Sequence, residues 1–250
     1  MSEPRRPSVV VDDLHVTYRV LTTGRRDRSA RRLLQRGPAV GAVREVHALR
    51  GVSFTACAGE SIGVIGHNGS GKSTLMRAIA GLQPATRGAV YADGQPALLG
   101  VNAALINELS GERNIVLGGM ALGMTPQQVR ERAGDIAAFA GLEEFLDLPM
   151  RTYSSGMSAR LRFAIASAVT HDVLLVDEAL AVGDADFRRR SEDRIRELAA
   201  EAATVFLVSH SMKSILKACD RVIWIDHGTL RMDGPAAEVV DAYRRVDPEE

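Results

Sequence analysis

The residues Gly66-His67-Asn68-Gly69-Ser70-Gly71-Lys72-Ser73 have the spacing G-x-x-x-x-G-K-[ST], which wraps a nucleotide's phosphates. Apolar Ile62, Val64 and Ile65 precede the motif, interrupted by Gly63, and read as a buried strand. Leu75, Met76 and Ile79 follow at helical spacing. The motif therefore joins a strand to a helix. Glycines without a Cβ let the backbone curl and turn its N–H groups inward. Those groups and the positive end of the helix can hold the α- and β-phosphates. Lys72 can reach the β- and γ-phosphates, and the Ser73 hydroxyl can ligate Mg²⁺. A glycine-rich turn matching by accident would lack these flanks and the partners downstream.

Those partners come at the ends of two more apolar runs. Val173-Leu174-Leu175-Val176 predicts a strand buried on both faces of a parallel sheet, ending at Asp177-Glu178. Asp177 falls at the carboxyl edge, where such sheets bind ligands, and can hold Mg²⁺ through water. Glu178 can orient and deprotonate an attacking water. The plainer reading is a strand ending in a solvated acidic pair. Thr204-Val205-Phe206-Leu207-Val208 predicts a third strand, ending at Ser209-His210. A histidine after a strand is by itself more often structural. The two other strand ends reverse that preference and make His210 a donor to the γ-phosphate.

Tyr153-Ser154-Ser155-Gly156-Met157 is a serine and glycine turn entering a helix with apolar Leu161, Phe163, Ala164, Ile165 and Ala168. The helix dipole points its positive end from that turn toward phosphate. Together these residues resemble the nucleotide-binding subunit of ABC transporters, over roughly Val9 to Arg245. The resemblance implies an α/β fold: a P-loop NTPase core, a small antiparallel β subdomain and a helical subdomain carrying the signature. It implies ATP bound by Gly66, His67, Asn68, Gly69, Ser70, Gly71, Lys72, Ser73 and Thr74, with adenine stacked on Tyr18. The alternative for Tyr18 is packing within the β subdomain; His47 is a weaker candidate for the same face. Walker B becomes Val173–Asp177, Mg²⁺ falls to Ser73 and Asp177, and catalysis to Lys72, Glu178 and His210. Ser154, Ser155 and Gly156 form the signature, and Val182-Gly183-Asp184 the D-loop. Two such subunits pack head to tail as a homodimer, each ATP lying between one P-loop and the other's Ser154.

The signature departs from the common L-S-G-G-Q form, with Ser155 for the first Gly and Met157 for the Gln. This form, and Ala179-Leu180-Ala181-Val182-Gly183-Asp184 after Glu178, are similar to ATPases that export O-antigen, capsule, teichoic acid and galactan. Aligning Leu109-Ser110-Gly111-Glu112-Arg113-Asn114 with the family's Leu-Thr-x-x-Glu-Asn puts the usual Q-loop Gln near Gly100 or Val101. Neither side chain can ligate Mg²⁺; Asn102 is the nearest amide. The stretch Val101 to Leu109 looks like the teichoic-acid and galactan branch.

Composition sets the remaining bounds. The 250 residues hold 31 basic and 31 acidic side chains, so no bulk charge points to nucleic acid or a membrane surface. Cys57 and Cys219 lack metal spacing and suit a reducing compartment. No apolar run is long enough to span a bilayer, and Met1 to Pro7 lacks a signal peptide's apolar region. A transmembrane path must then come from separate permease subunits, expected as two, with this chain at the cytoplasmic face of the plasma membrane.

One domain is expected over 1–250, with 8–100 and 160–234 as β subdomain and core, and 101–159 as helical subdomain. Within the latter, Gly118-Gly119 and Gly141 read as breaks and Thr125-Pro126 as a helix start. Segment 22–45 is an insertion holding Arg25, Arg26, Arg28, Arg31, Arg32, Arg36 and Arg44, either a solvated loop or a contact with anionic lipid or substrate. Segment 235–250 is expected to be a final helix and tail, with no carbohydrate-binding domain expected after it.

The leading expectation is the ATP-hydrolysing subunit of an exporter of a polysaccharide or lipid-linked glycan, without a nucleic-acid partner. An exporter of another cargo is the alternative. A soluble ABC protein acting on nucleic acid or ribosomes would show two motif sets or a long heptad run, and this chain shows one set and no such run. A small-molecule kinase would have no use for the signature.

Overall fold

In a computed structural model of the chain, the described residues are 6–22, 42–99, 105–177, 184–209 and 211–246. Arg25 to Arg36, Asn102, Glu178, Val182, Gly183 and His210 lie outside them. Along the chain, β1 (Pro7–Thr22) and β2 (Ala42–Cys57) lead to β3 (Ser61–Ile65), α1 (Lys72–Ile79), β4 (Arg87–Ala92) and β5 (Pro96–Leu98). Three helices follow: α2 (Gly111–Ala121), α3 (Pro126–Ala140) and α4 (Ser155–Ala166). Then come β6 (Val173–Asp177), α5 (Ala185–Glu201), β7 (Thr204–Val208), α6 (Met212–Ala218), β8 (Arg221–Asp226), β9 (Thr229–Pro235) and α7 (Ala236–Val246).

Among the described residues the strands form two sheets. One is antiparallel, in the order β2-β1-β4. The other has the order β5-β6-β7-β3-β8-β9, parallel except for β9. The β1–β2 ladder continues to the Thr22–Ala42 pair, so Ala42 to Glu45, counted above with the Arg-rich segment, are strand residues here.

Alternation along the central strands decides which layer each side chain enters. Ile62, Val64, Val173, Leu175, Phe206 and Val208 join a core with β1, β2 and α1. Leu174, Val176 and Val205 face the other way, toward Phe163 of α4 and Phe187 and Leu198 of α5. That is why the run Val173 to Val176 is buried throughout. Gly63 breaks the apolar run of β3 for a packing reason: a Cβ there would come within 2.9 Å of Ile215 Cγ2, so glycine lets α6 sit against the sheet. On that side Ile65, Met212, Trp224, Val239, Val240 and Tyr243 form a further cluster.

The helical layer has its own core, from Ile115, Val129, Ile136, Ala137, Leu161 and Ile165. Fully burying each large aliphatic contributes about 1.5–3 kcal/mol. α3 starts as the Thr125-Pro126 signal requires, with a capping box in which Thr125 and Gln128 bond each other's backbone N–H. It ends at Gly141 in the left-handed conformation, φ 63°. The expectation of a break at Gly118-Gly119 is overturned, because α2 runs straight through both. A Cβ on Gly118 would meet Ile165 Cγ2 at 2.9 Å and one on Gly119 would meet Val129 Cγ2 at 2.9 Å. These glycines are points where α4 and α3 approach the α2 backbone.

Candidate nucleotide site

The parallel register brings the phosphate loop and Asp177 to one sheet edge. Val64 of β3 pairs with Val208 of β7, and Asp177 of β6 pairs with the same Val208. The loop starts two residues beyond Val64. Ser209, buried and accepting the Ser211 N–H through Oγ, continues β7 at the same edge.

Within the loop, two glycines cannot carry a side chain. Gly66 has φ 143°, and a Cβ there would lie 2.1 Å from the Ile225 carbonyl oxygen. Gly71 has φ 115° and caps α1, and a Cβ there would lie 2.7 Å from the Ala48 oxygen. Leu75 N–H donates to Gly71 O at 2.9 Å to start the helix. The first-turn N–H groups of α1 have no acceptor within the helix. Lys72 is almost fully buried, and its ammonium donates to the carbonyls of Gly66 (2.5 Å) and His67 (3.1 Å), which draws it over the loop. Ser70 is fully buried and its Oγ has no hydrogen-bond partner. The orphaned Ser70 hydroxyl and the first-turn N–H groups of α1 are what a phosphate chain would satisfy. Ser73 is exposed beside them, a free position for a metal-ligating hydroxyl.

Tyr18 lies on β1, half-buried against the core that holds α1, with its hydroxyl 3.5 Å from Thr74 Oγ1. The loop is also braced from below. Gly228 N–H donates to Ser70 O at 2.8 Å, and Arg50 N–H donates to Gly228 O at 2.8 Å, tying the β8–β9 turn and β2 to the loop.

The expected signature residues lie at the start of α4. Ser154 is the N-cap of α4, its Oγ accepting the Met157 N–H at 3.1 Å, and Ser154 and Ser155 are exposed. Tyr153 is buried, and its hydroxyl donates to Phe145 O at 2.6 Å. Burial, with Asp147 nearby, pushes its phenol above the ordinary value. Tyr153 thus pins the signature turn to the helical layer. Asp184 caps α5 by accepting the Phe187 N–H at 2.8 Å and lies 3.9 Å from Arg160 of α4. That hydrogen bond, followed by the Arg160 and Arg190 charges, holds its carboxyl below the usual value.

Two further positioning residues carry little sequence signal. Asn114 is fully buried and satisfies the connection entering α2: Oδ1 accepts the Ile106 N–H, and Nδ2 donates to the carbonyls of Ile106, Leu109 and Ser110. Arg221 bonds Asp233, Glu60 and the Thr55 carbonyl, clamping β8 to β9 and β2. Asn114 could have been noticed as an amide in an amphipathic helix; Arg221 gave no local hint.

A family model described as ABC transporter matches residues 49–181, more than half of the chain. The chain is 43% identical over 202 residues to the O-antigen export system ATP-binding protein RfbB of Myxococcus xanthus, covering 80% of this chain and 46% of that protein. It is 44% identical over 196 residues to the teichoic acids export ATP-binding protein TagH of Levilactobacillus brevis, covering 78% and 54%. It therefore spans about half the length of these two relatives. With the RfbB of Klebsiella pneumoniae it is 39% identical over 204 residues, covering 81% of this chain and 83% of that one. Among solved structures, an ATP-binding subunit of an ABC transporter superposes with a TM-score of 0.68 at 23% identity, covering 96% of this chain and 92% of the other. The dimeric ATP-binding cassette MJ0796 bound to ADP and Pi gives 0.67 at 21%, covering 91% and 98%. The family match and the Klebsiella relative, set beside the loop geometry, show that the chain belongs to the ABC transporter family of ATP-binding proteins.

Proposed function

We propose that this chain binds ATP and hydrolyses it to drive export of a polysaccharide or lipid-linked glycan through separate transmembrane permease subunits. The observation that carries the ATP reading is the shared register of Val64, Val208 and Asp177, which sets the phosphate loop and the acidic strand end at one edge. The O-antigen and teichoic-acid export names of the relatives support the cargo; a galactan is the narrowest form of that reading. Among the described residues no helix is long and apolar enough to cross a membrane. The proposal assigns the transport path to two permease subunits, with the chain at the cytoplasmic face of the plasma membrane.

In this reading Tyr18 stacks on adenine, and His67 to Gly71 cradle the phosphates with their backbone. Lys72 neutralises charge at the β- and γ-phosphates. Ser73 and Asp177 would hold Mg²⁺, which when bound neutralises phosphate charge. Water attacks the γ-phosphorus in line, Glu178 takes its proton, and the bond to the β–γ bridging oxygen breaks. His210 donates to the γ-phosphate. Ser154, Ser155 and Gly156 of a second copy close over the nucleotide, which fits the exposed place of Ser154 and Ser155 at a helix N-terminus. Asp184, beside Arg160, belongs to that dimer seam.

Titration of ATP into the purified chain, wild type against Lys72→Ala, tests the site: affinity should drop sharply in the variant, and equal affinities would refute the loop's assignment. Deleting the gene tests the cargo. A lipid-linked glycan should accumulate inside the cell, and an unchanged glycan pool would refute glycan export.

A further inference from the structure

Beside the phosphate loop, three side chains capable of ligating a metal converge where the loop meets the β8–β9 turn. His67, Asp226 and His227 each offer one ligand atom, and all three atoms lie within 4.8 Å of one another. His67 Nε2 is 3.2 Å and His227 Nε2 is 3.8 Å from the same oxygen, Asp226 Oδ1. We propose that these residues form a site for a divalent cation of the zinc class, joining the first corner of the phosphate loop to the β8–β9 turn.

Four observations carry this. The first is the state of His67. Its Nδ1 lies 2.8 Å from the Asn68 carbonyl, which can only accept, so Nδ1 carries a proton. In the neutral ring Nε2 then presents a lone pair, the arrangement found in metal-binding histidines whose other nitrogen donates to a carbonyl. Nε2 is buried and makes no hydrogen bond, although Oδ1 is 3.2 Å away. Its lone pair therefore points off the line to the carboxylate. An ion placed between the two groups lies off that line as well.

The second is spacing. Ligand atoms bound to a tetrahedral ion at about 2.0–2.1 Å stand ~3.3–3.4 Å from one another. The His67 distance to Oδ1, 3.2 Å, is close to that, and the His227 distance, 3.8 Å, is somewhat longer. In the proposed site the exposed His227 ring, whose side chain is 79% accessible, turns inward to close the remaining edges.

The third is the carboxylate's outer contact. Arg231 holds Asp226 Oδ2 at 3.0 Å and lies over the Trp224 ring, 4.3 Å from its centroid. This leaves Oδ1 as the ligating oxygen and fixes its direction. It also takes up part of the negative charge, so the affinity should be below that of a closed structural zinc site.

The fourth is the turn itself. His227 and Gly228 have φ 46° and 80° and join strands paired at Asp226–Thr229, a two-residue turn that favours Asn-Gly. Histidine in the left-handed region is a poorer local choice than asparagine. Its side chain is delivered against His67, the rings 4.6 Å apart. Two imidazoles and a carboxylate suit zinc-class ions, whereas Mg²⁺ prefers an all-oxygen shell. The site is thus chemically distinct from Ser73 and Asp177.

The test is direct titration of Zn²⁺ into the untagged chain without nucleotide, in excess Mg²⁺, with Cys57→Ser to remove the accessible thiol. His227→Asn is the deciding variant, because asparagine keeps the turn conformation and removes the ligand. Asp226→Asn is its companion, and metal-free melting checks that both fold. The expected result is one bound equivalent, weakened at least about tenfold in His227→Asn, since loss of an outer-shell partner alone costs roughly 10–100-fold. Co²⁺ bound in place of Zn²⁺ should show a four-coordinate spectrum that His227→Asn abolishes. No saturable binding, unchanged affinity in His227→Asn, or a six-coordinate Co²⁺ spectrum would overturn the proposal. ATP binding does not enter the measurement.

Discussion

Ser154 is assigned two tasks, and substitutions can separate them. In the single chain it caps α4, accepting the Met157 N–H at 3.1 Å from an exposed position. In the proposed dimer it faces the partner's nucleotide. Ser154→Ala removes the cap and should cost about 1 kcal/mol, within a range of roughly 0.5–2. For a domain of this size that lowers Tm by about 2–4 °C. Ser154→Asn keeps the cap and the neutral charge, so it should melt close to wild type. Ser154→Asp also keeps the cap and gains about 0.3–1 kcal/mol from the helix dipole. It would, however, set a carboxylate against the partner's phosphates. Two unit charges about 4 Å apart at an effective dielectric of 20 repel by ~4 kcal/mol. That corresponds to ~10³-fold per site, and the homodimer holds two such sites, so to ~10⁶-fold in the dimer equilibrium. The aspartate variant should therefore be the most stable of the three as a monomer and the poorest ATP-dependent dimer. Urea denaturation reads the first order. Light scattering with ATP, in a Glu178→Gln background, reads the second. An aspartate variant that dimerises like wild type, or an alanine variant that melts above the aspartate one, would refute the dual role.

Glu178→Gln should retain ATP binding while hydrolysis falls about 10²–10⁴-fold, the usual cost of losing a positioned base; near wild-type turnover would remove Glu178 from that role. His171 is held below its ordinary pKa of 6.5, first by burial, so its folded state resists protonation. Its penalty is absent above pH 6.5 and grows as pH falls below that value. The acid limb of urea midpoint against pH should flatten in His171→Gln, and an identical limb would contradict the assignment. Burial pushes the Cys219 thiol up to about 12. In mildly alkaline buffer iodoacetamide should modify half-buried Cys57 and spare Cys219 until denaturant is added; equal labelling of both in the folded chain would be wrong for this core.

The parts of this molecule legible from sequence are those in which chemistry and local structure share one short stretch. The phosphate loop is contiguous, and its flanks declare a strand and a helix by period alone. Asp177 follows its own strand, and parallel pairing then aligns it with the loop through Val208 without further information. Thr125 and Pro126 name a helix start in two residues, and the structure closes it locally with Gln128 in a capping box.

What stayed hidden depends on approach between distant segments. Asn114 stands in a helix like any solvated amide until the carbonyls of Ile106, Leu109 and Ser110 fold back over it. His67 and His227 are 160 positions apart in the chain and meet only because β3 and β8 pair side by side and each ends at the same edge. Gly118 and Gly119 show the limit most clearly. A glycine inside a helix costs about 1 kcal/mol relative to alanine, and that penalty alone reads as a break. The compensating term is the closeness of Ile165 and Val129, where any Cβ would collide. The penalty is written in one residue and the compensation in two other helices, so the same dipeptide that looks like a break in one dimension is a packing contact in three.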